Sequence, residues 1–413
     1  MRVLNERSAG LDVHKKTVVA CIMLTLLTGE VKTSVRTFST TTAGLLALAD
    51  WLTTHQVTHV AIESTGVYWR PVFNILEGAF TVVLVNAQHM KAVPGRKTDV
   101  KDSEWLAELL SYGLLKASFI PPQPIRDLRD LVRYRKTLVN ERADEVNRLQ
   151  KVLETANIKL SSVATNVLGV SGRAMISALI GGESSAEEMA DLARGRLKKK
   201  IPELREALLG RVDNHHRVIL THILAHIDFL EGALEELYEQ IQPYLAPYEE
   251  AVERLCSIPA IGEGSAASIL GEIGVDMDCF PSAAHLASWA GLCPGNRQSG
   301  GKRLHSKMRN GNARLKATLA EVVWVLSHMK DNYLSAQYHR LARRIGKKKA
   351  VMAVSHSIIV IIYHLLRDKV PYSDLGATYF ETLDKERIEK AAVRRLQGLG
   401  YKVILEPQEE VCA

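Results

Sequence analysis

Asp12 closes one apolar stretch and Glu63 closes another, while Asp99 and Asp102 lie within Gly95-Arg96-Lys97-Thr98-Asp99-Val100-Lys101-Asp102. Carboxylates that converge from separate strands hold divalent metal ions against a phosphodiester. Far along the chain, Ser299 sits in a glycine-rich, cationic segment, Pro294-Gly295-Asn296-Arg297-Gln298-Ser299-Gly300-Gly301-Lys302-Arg303. An activated serine hydroxyl beside cations attacks phosphorus. A chain carrying both sets of groups can cut nucleic acid and keep the cut end covalently attached. The free energy of the phosphodiester then stays in a phosphoserine ester, and rejoining needs no nucleotide. That is the chemistry of recombination rather than of hydrolysis.

Each group also has a plainer reading. A lone Asp after a strand more often closes a turn, Asp99 could cap the helix that follows, and Ser299 could be a small turn residue. The carboxylates count as a set. Four acids at one sheet edge repel one another unless a cation lies among them, and Lys97 and Lys101 are available to neutralise part of that charge. The serine segment does not fit a P-loop. In a G-x-x-x-x-G-K-[ST] pattern starting at Gly295, the lysine position holds Gly301, and Arg303 follows Lys302 where Ser or Thr is required. ATP is therefore not expected.

The elements that would position these groups follow from hydrophobic period. Ala9 to Val13, Thr17 to Leu26 and Val31 to Phe38 read as strands, the last two joined by a Thr28-Gly29-Glu30 turn. Leu45, Leu46, Leu48, Ala49 and Leu52 have helical spacing. A strand from His59 to Glu63, a helix through Tyr68 to Leu76 and a strand from Phe80 to Val85 follow, and a further helix begins near Asp99. An antiparallel meander continued by parallel βαβ units is an RNase H-like, RuvC-like α/β layout. Ligands gather at the carboxyl ends of such strands, where this reading puts Asp12 and Glu63. Asp99 and Asp102, three apart, share a helix face.

Beyond residue 120 the chain reads as helical. Ile125 to Ala156 carries a Leu/Val stripe and eight Lys or Arg residues. Ile223, Ile227, Leu230, Leu234, Leu237 and Ile241 step by four and three, a heptad seam that could pair with the first helix, with another subunit, or serve as an ordinary surface helix. Arg194 to Lys200 is a basic linker. Ser257 to Leu270 resembles a helix-hairpin-helix, which points backbone N–H groups at phosphate, although a tight αα-turn has the same look. Lys302, Arg303, Lys307, Arg309, Arg314 and Lys316 occupy a run without an acid, and with Arg297 they suit a nucleic-acid backbone better than a solvated face. Arg340, Arg343, Arg344 and Lys347 to Lys349 form a further basic cluster. The boundaries expected are 1–120 for the RuvC-like domain, 121–250 for a helical coiled-coil region, 251–370 for a mainly α domain holding the serine, and 371–413 for a tail.

With 413 residues the chain exceeds one ordinary core. A net charge of +7 and a pI near 9.0, with the positive charge clustered, point to a polyanionic partner. Met1 to Arg7 lacks the apolar core of a signal peptide. The longest apolar run, Ser357 to Leu366, is too short for a bilayer. Cys256, Cys279 and Cys293 form no C-x-x-C pair, so buried free thiols are expected rather than zinc. The location expected is a reducing bacterial cytoplasm, with nucleoid association during reaction and no membrane.

Gly10-Leu11-Asp12-Val13-His14-Lys15, Ile62-Glu63-Ser64-Thr65-Gly66-Val67-Tyr68, Lys97 to Asp102, Ile258-Pro259-Ala260-Ile261-Gly262, and Ala290-Gly291-Leu292-Cys293-Pro294 leading to Ser299-Gly300 resemble, in this order, the DEDD transposases of a large bacterial insertion-sequence family, the bridge-RNA-guided serine recombinases. The resemblance implies a RuvC-like domain binding Mg²⁺ through Asp12, Glu63, Asp99 and Asp102, and a C-terminal transposase domain with Ser299 as nucleophile. It also implies a structured non-coding guide RNA pairing with donor and target DNA, and a homo-oligomer in which dimers form a tetramer. Two other readings stand beside it. A junction resolvase or nuclease needs only the carboxylates and water, and leaves Ser299 unused. A non-catalytic nucleic-acid-binding protein uses only the basic clusters.

Overall fold

The computed structural model describes residues 3–404 except 27, 65, 86–98, 183, 296, 300–301, 306–307, 309 and 384, with backbone alone at 99–100, 297–299, 302–305 and several positions between 381 and 388. The chain forms two compact units, residues 1–120 and 121–413.

In the first unit, strands β1 (Arg7–Val13), β2 (Thr17–Thr25) and β3 (Val31–Ser39) form an antiparallel meander. Helix α1 (Thr42–Thr54) then leads to β4 (His59–Glu63), α2 (Trp69–Leu76) and β5 (Thr81–Val85). The strand order is β3-β2-β1-β4-β5, with β4 parallel to both β1 and β5. Helix α3 (Asp99–Ser111) follows. This succession of elements is the one expected from hydrophobic period, and the mixed five-stranded sheet is the α/β layout of an RNase H-like domain.

The two faces of the sheet divide the work. Ala9, Leu11, Val13, Val60 and Ile62 share a core with Leu45, Leu48, Val72 and Leu76 of α1 and α2. On the other face Ala61 and Val85 pack with Leu106 and Leu110 of α3. Alternate residues of β1 and β4 are therefore committed to opposite layers. Gly10 faces α3 and has no room for a side chain: a Cβ there would lie 2.2 Å from the Ser103 carbonyl oxygen and 2.5 Å from the Ala107 nitrogen. The missing methyl lets the helix backbone rest directly on the strand.

In the second unit, α4 (Gln123–Thr155) and, beyond α5 (Val170–Gly181), α6 (Asn214–Leu245) pair along their lengths. Arg142 bonds Glu231 and Glu145 meets His226, so the pair is antiparallel. The heptad seam faces inward within one chain: Ile227 is fully buried and Leu230 is 1 % exposed. Of the pairings left open by the sequence, this is the one with the first helix of the same chain. Leu149, Leu153, Leu220 and Ile227 continue into a core with Met175 and Ile176 of α5 and with the 156–208 segment.

Next come α7 (Glu249–Cys256), α8 (Glu263–Ile273), α9 (Ala283–Trp289), the hairpin β6 (Arg297–Ser299) and β7 (Lys302–His305), α10 (Ala313–Leu326), α11 (Tyr333–Ile345) and α12 (Lys347–Asp368). Short helices α13 (Tyr379–Leu383) and α14 (Lys385–Gly398) follow. Among the described residues α12 is the one helix long and apolar enough to cross a membrane. Its Ile358, Ile359, Ile362, Leu365 and Leu366 are buried, and α7, α9, α10 and α11 pack around it, so its apolar composition is that of a central core helix. The thiols depart from the buried expectation. Cys21 is buried, Cys256 and Cys293 are half-buried, and Cys279 is exposed.

Candidate functional site

The carboxylates can be placed by matching strand rise to helix rise. On the α3 face of β1, the Ser8 hydroxyl donates to the Ala107 carbonyl at 3.2 Å, and Gly10 abuts Ser103. Two strand residues advance about 6.6 Å and four helical residues about 6 Å, so the elements stay in step. The next step pairs the level of Asp12 with the level of Asp99. Asp102 lies one turn before Leu106, whose side chain packs beside Ala61. Glu63 is two residues beyond Ala61 on the same sheet face. Leu11 pairs with Ile62, which sets Asp12 and Glu63 at neighbouring positions of adjacent strands. The register thus sets Asp12 and Glu63 at the carboxyl ends of β1 and β4, on the sheet face against which α3 packs.

Their environments differ. Asp12 is 7 % exposed and its Oδ2 lies 3.2 Å from His14 Nε2. Glu63 and Asp102 are half-buried, and the side chain of Asp99 lies outside the described residues. Among the described residues, the one group of three His, Cys, Asp or Glu side chains whose ligand atoms all fall within 4.8 Å of one another is Asp213, His215 and His216. Asp12, Glu63 and Asp102 stand farther apart than that. Their oxygen-only donor set still fits a hard divalent ion, which accepts carboxylates at several points and keeps part of its water shell. The Asp213 group is different in kind: the backbone N–H of Asp213 donates to His216 Nδ1 at 3.2 Å, a helix-capping arrangement at the start of α6.

Ser299 occupies the last position of β6, paired with Lys302 across a two-residue connection. The expected loop is therefore a β-hairpin with the serine beside its tip. The side chains of Arg297, Ser299, Lys302, Arg303, Lys307 and Arg309 lie outside the described residues, and Arg314 is exposed in the first turn of α10.

The root of this hairpin is closely held. Pro294 bridges to Met308. Gly311 lies against the preceding strand connection, where a Cβ would come within 2.4 Å of the Gly291 nitrogen. Asn312 caps α10 by accepting from the backbone N–H groups of Arg314 and Leu315, and its amide donates to Glu272 Oε2 at 2.6 Å. Glu272, in α8, is 3 % exposed. Arg133 donates to both of its oxygens at 2.7 Å, while Arg129 donates to the Gly271 and Glu272 carbonyls at 2.7 and 2.9 Å. Burial pushes the Glu272 carboxyl up, but hydrogen bonds from Arg133 and Asn312 and the charges of Arg133 and Arg129 outweigh it and hold the group below its usual range.

Sequence reasoning missed Glu272, Asn312 and the partnership of His14 with Asp12. The available signals were a lone acid near the end of an apolar helix, Ala266 to Ile273, and an Asn directly before a helical run. Helices α7 and α8 flank the Ser257–Gly262 turn, an arrangement that a helix-hairpin-helix and a plain αα-turn share. The positive end of α8, however, already carries a carboxylate of its own: Glu263 opens the helix and accepts the Tyr238 hydroxyl at 2.7 Å.

Residues 9–158 match a family model described as a DEDD transposase, and residues 252–339 match one described as transposase of the IS116/IS110/IS902 family. The two matches fall in one chain in the order of the two candidate sites. They support a transposase of the IS110/IS116 family. An IS110 insertion-element protein of Streptomyces coelicolor is 25 % identical over 322 residues, covering 72 % of this chain and 76 % of the relative. The transposase of IS1111A from Coxiella burnetii is 23 % identical over 296 residues, 70 % of this chain and 72 % of its own. A pilin gene-inverting protein of Moraxella bovis is 30 % identical over 122 residues, 29 % of this chain and 37 % of that one. The DEDD match assigns the acid-bearing unit to a class of domains that use a divalent metal ion.

Proposed function

We propose that this IS110-type transposase is a guide-RNA-directed recombinase that joins DNA through a covalent phosphoserine at Ser299. The observation that carries this reading is the seating of Ser299: it ends β6 beside a two-glycine tip, on a hairpin whose root is fixed by Glu272 and Asn312. A nuclease that used water would need no such hairpin.

In the reaction the Ser299 Oγ attacks phosphorus. The Oγ–P bond forms, the P–O bond to the leaving sugar breaks, the serine proton is released and the sugar oxygen takes one up. Rejoining reverses each change, so neither water nor a nucleotide is consumed. Gly300 and Gly301 allow the strand to approach the serine closely. Arg297, Lys302 and Arg303 stabilise the charge that builds on the phosphoryl oxygens. Asp12, Glu63, Asp99 and Asp102 would hold Mg²⁺, which when bound supplies Lewis-acid stabilisation and lowers the pKa of an attacking hydroxyl. His14 stands beside this set, its Nε2 3.2 Å from Asp12 Oδ2.

Donor and target DNA are the substrates. Pairing with a structured non-coding RNA would carry sequence specificity, leaving the protein to read backbone and shape. A relative named as a pilin gene-inverting protein is in keeping with a DNA rearrangement. A homo-oligomer supplies the several serines that four DNA ends require.

The deciding experiment incubates the protein with guide RNA, donor and target DNA and Mg²⁺, then resolves it on a denaturing gel. Wild type should give a protein–DNA adduct, and Ser299→Ala should bind both nucleic acids yet give none. Wild-type adduct from Ser299→Ala, or metal-dependent cutting by wild type with no adduct, would overturn the reading.

A further inference from the structure

The chemistry assigned to the carboxylates and to Ser299 leaves the basic segment from Arg340 to Lys349 without a role. Arg340, Arg343, Arg344, Lys347, Lys348 and Lys349 place six cations in ten residues with no acid between them. They straddle the break between α11 and α12, where Gly346 takes a φ of +85°. Arg343 and Arg344 fall in the last turn of α11, the favourable end for cations. The three lysines fall in the first turn of α12, the unfavourable end, with no acid and no side-chain cap beside them. Among the described residues no carboxylate pairs with Arg343, Arg344 or Lys347 to Lys349. A concentration of like charge at the wrong helix end is a cost unless an anion from outside relieves it.

A cavity of about 350 Å³ opens beside this segment, lined by Gln337, Arg340, Leu341, Arg344 and Phe380. Its aromatic wall comes from the C-terminal region. Phe380 of α13 stacks on Tyr333 of α11 with centroids 5.1 Å apart, and the Arg340 guanidinium lies over the Phe380 ring at 4.8 Å. Gln337 donates its amide to Ser357 at 3.1 Å, while its Oε1 is buried with no partner among the described residues. A buried acceptor of this kind wants a donor. The cavity is at the small end of ligand-pocket size and so takes one unit of a chain rather than a duplex.

Resting on the transposase reading, we propose that the α11–α12 junction is a second nucleic-acid contact, in which the lysines hold phosphates and the Phe380 cavity takes one nucleotide of a single-stranded segment. Arg340 and Arg344 face its phosphate, and the Phe380 wall packs the sugar or base. Only an unpaired nucleotide offers those faces, because duplex stacking hides them. The C-terminal region beyond α12 thereby contributes to binding, since α13 builds one wall of the site.

The test uses the full-length protein and three labelled probes of equal length: single-stranded RNA, single-stranded DNA and duplex DNA. Affinity is measured across a salt series for wild type, for the combined Lys347→Ala, Lys348→Ala and Lys349→Ala variant, for Phe380→Ala and for Arg344→Gln. The lysine variant should weaken all three probes and lower the single-strand salt slope by about 2, at about 0.7 per phosphate contact. Phe380→Ala and Arg344→Gln should each weaken single strands about fivefold or more and leave the duplex unchanged. Arg344→Gln guards against loss of the C-terminal packing in Phe380→Ala. Equal losses on duplex and single strands in both cavity variants, or an unchanged slope in the lysine variant, would overturn the proposal. A Lys302→Ala, Arg303→Ala control that weakens binding while the junction variants do not would reject the junction and leave the transposase reading standing. A wild-type protein that binds none of the probes would reject both. If the cavity variants differ between the RNA and DNA single strands, the more affected probe identifies which strand enters.

Discussion

Glu272 shows how a single buried charge can matter far from any reacting atom. Its carboxylate accepts from Arg133 and from Asn312 at the root of the serine hairpin, while Arg129 donates to the adjacent Gly271 and Glu272 carbonyls. Glu272→Ala would strand Arg133 with no counter-charge and lower stability by about 3–5 kcal/mol, seen as a fall in melting temperature. The depressed carboxyl also sets a pH dependence. Because its folded value lies below the ordinary 4.5, its contribution is present above that pH and is lost as the pH falls through the folded value. Wild type should therefore lose stability on acidification below about pH 4.5 more steeply than Glu272→Gln does, measured by urea unfolding at stepped pH. Parallel curves for the two proteins would show that folding does not lower the pKa of this carboxyl. At the other site, Asp12→Asn should abolish strand cleavage with little change in melting temperature, and full cleavage would remove Asp12 from the proposed metal set.

At the level of elements, the contact between β1 and α3 is the most demanding in the first unit. Gly10→Ala would drive a methyl into the Ser103 carbonyl and force the helix away from the strand. The expected result is a lower melting temperature, loss of cleavage and exposure of Cys21, which pairs with Gly10 in the sheet. Burial and the nearby Glu104 push the Cys21 thiol up to about 12, so in wild type it should resist alkylation at pH 8. Iodoacetamide labelling followed by mass spectrometry reads both outcomes, and equal labelling of Cys21 in the two proteins would show that α3 is undisturbed. A second element test concerns the heptad seam. Leu230→Asp places a charge in the α4–α6 core, so it should unfold that region, with loss of far-ultraviolet ellipticity. A folded protein that merely dissociates would return the seam to a subunit interface.

For the molecule as a whole, what was legible in the sequence depends on the range of the forces involved. The five strands and α3 could be read because short, largely apolar runs such as Ala9 to Val13 and His59 to Glu63 mark strands buried on both faces, and these two are buried almost throughout. The seam at Ile223 to Ile241 was equally plain, but a period states that a face is covered and not what covers it. The β6–β7 hairpin was hidden because Arg297 to His305 has almost no apolar residues to alternate. The Glu272 clamp was hidden for another reason: its strongest partner, Arg133, is 139 residues away. Between these scales lies α4, one unbroken helix of 33 residues. At 1.5 Å per residue it is a strut of about 50 Å. One of its ends grips Glu272 and the other is embedded in the Leu149 and Leu153 core. A rod of this kind transmits phase as well as distance. One inserted residue would turn the two ends by about 100° relative to each other, whereas seven would restore them to within about 20° at the cost of greater length. Since α6 runs alongside in the opposite direction, only matched insertions in both helices would keep their faces in register. The spacing between the serine-bearing end and the distal core can thus change in whole heptads, and natural length variation in this region should be counted in sevens.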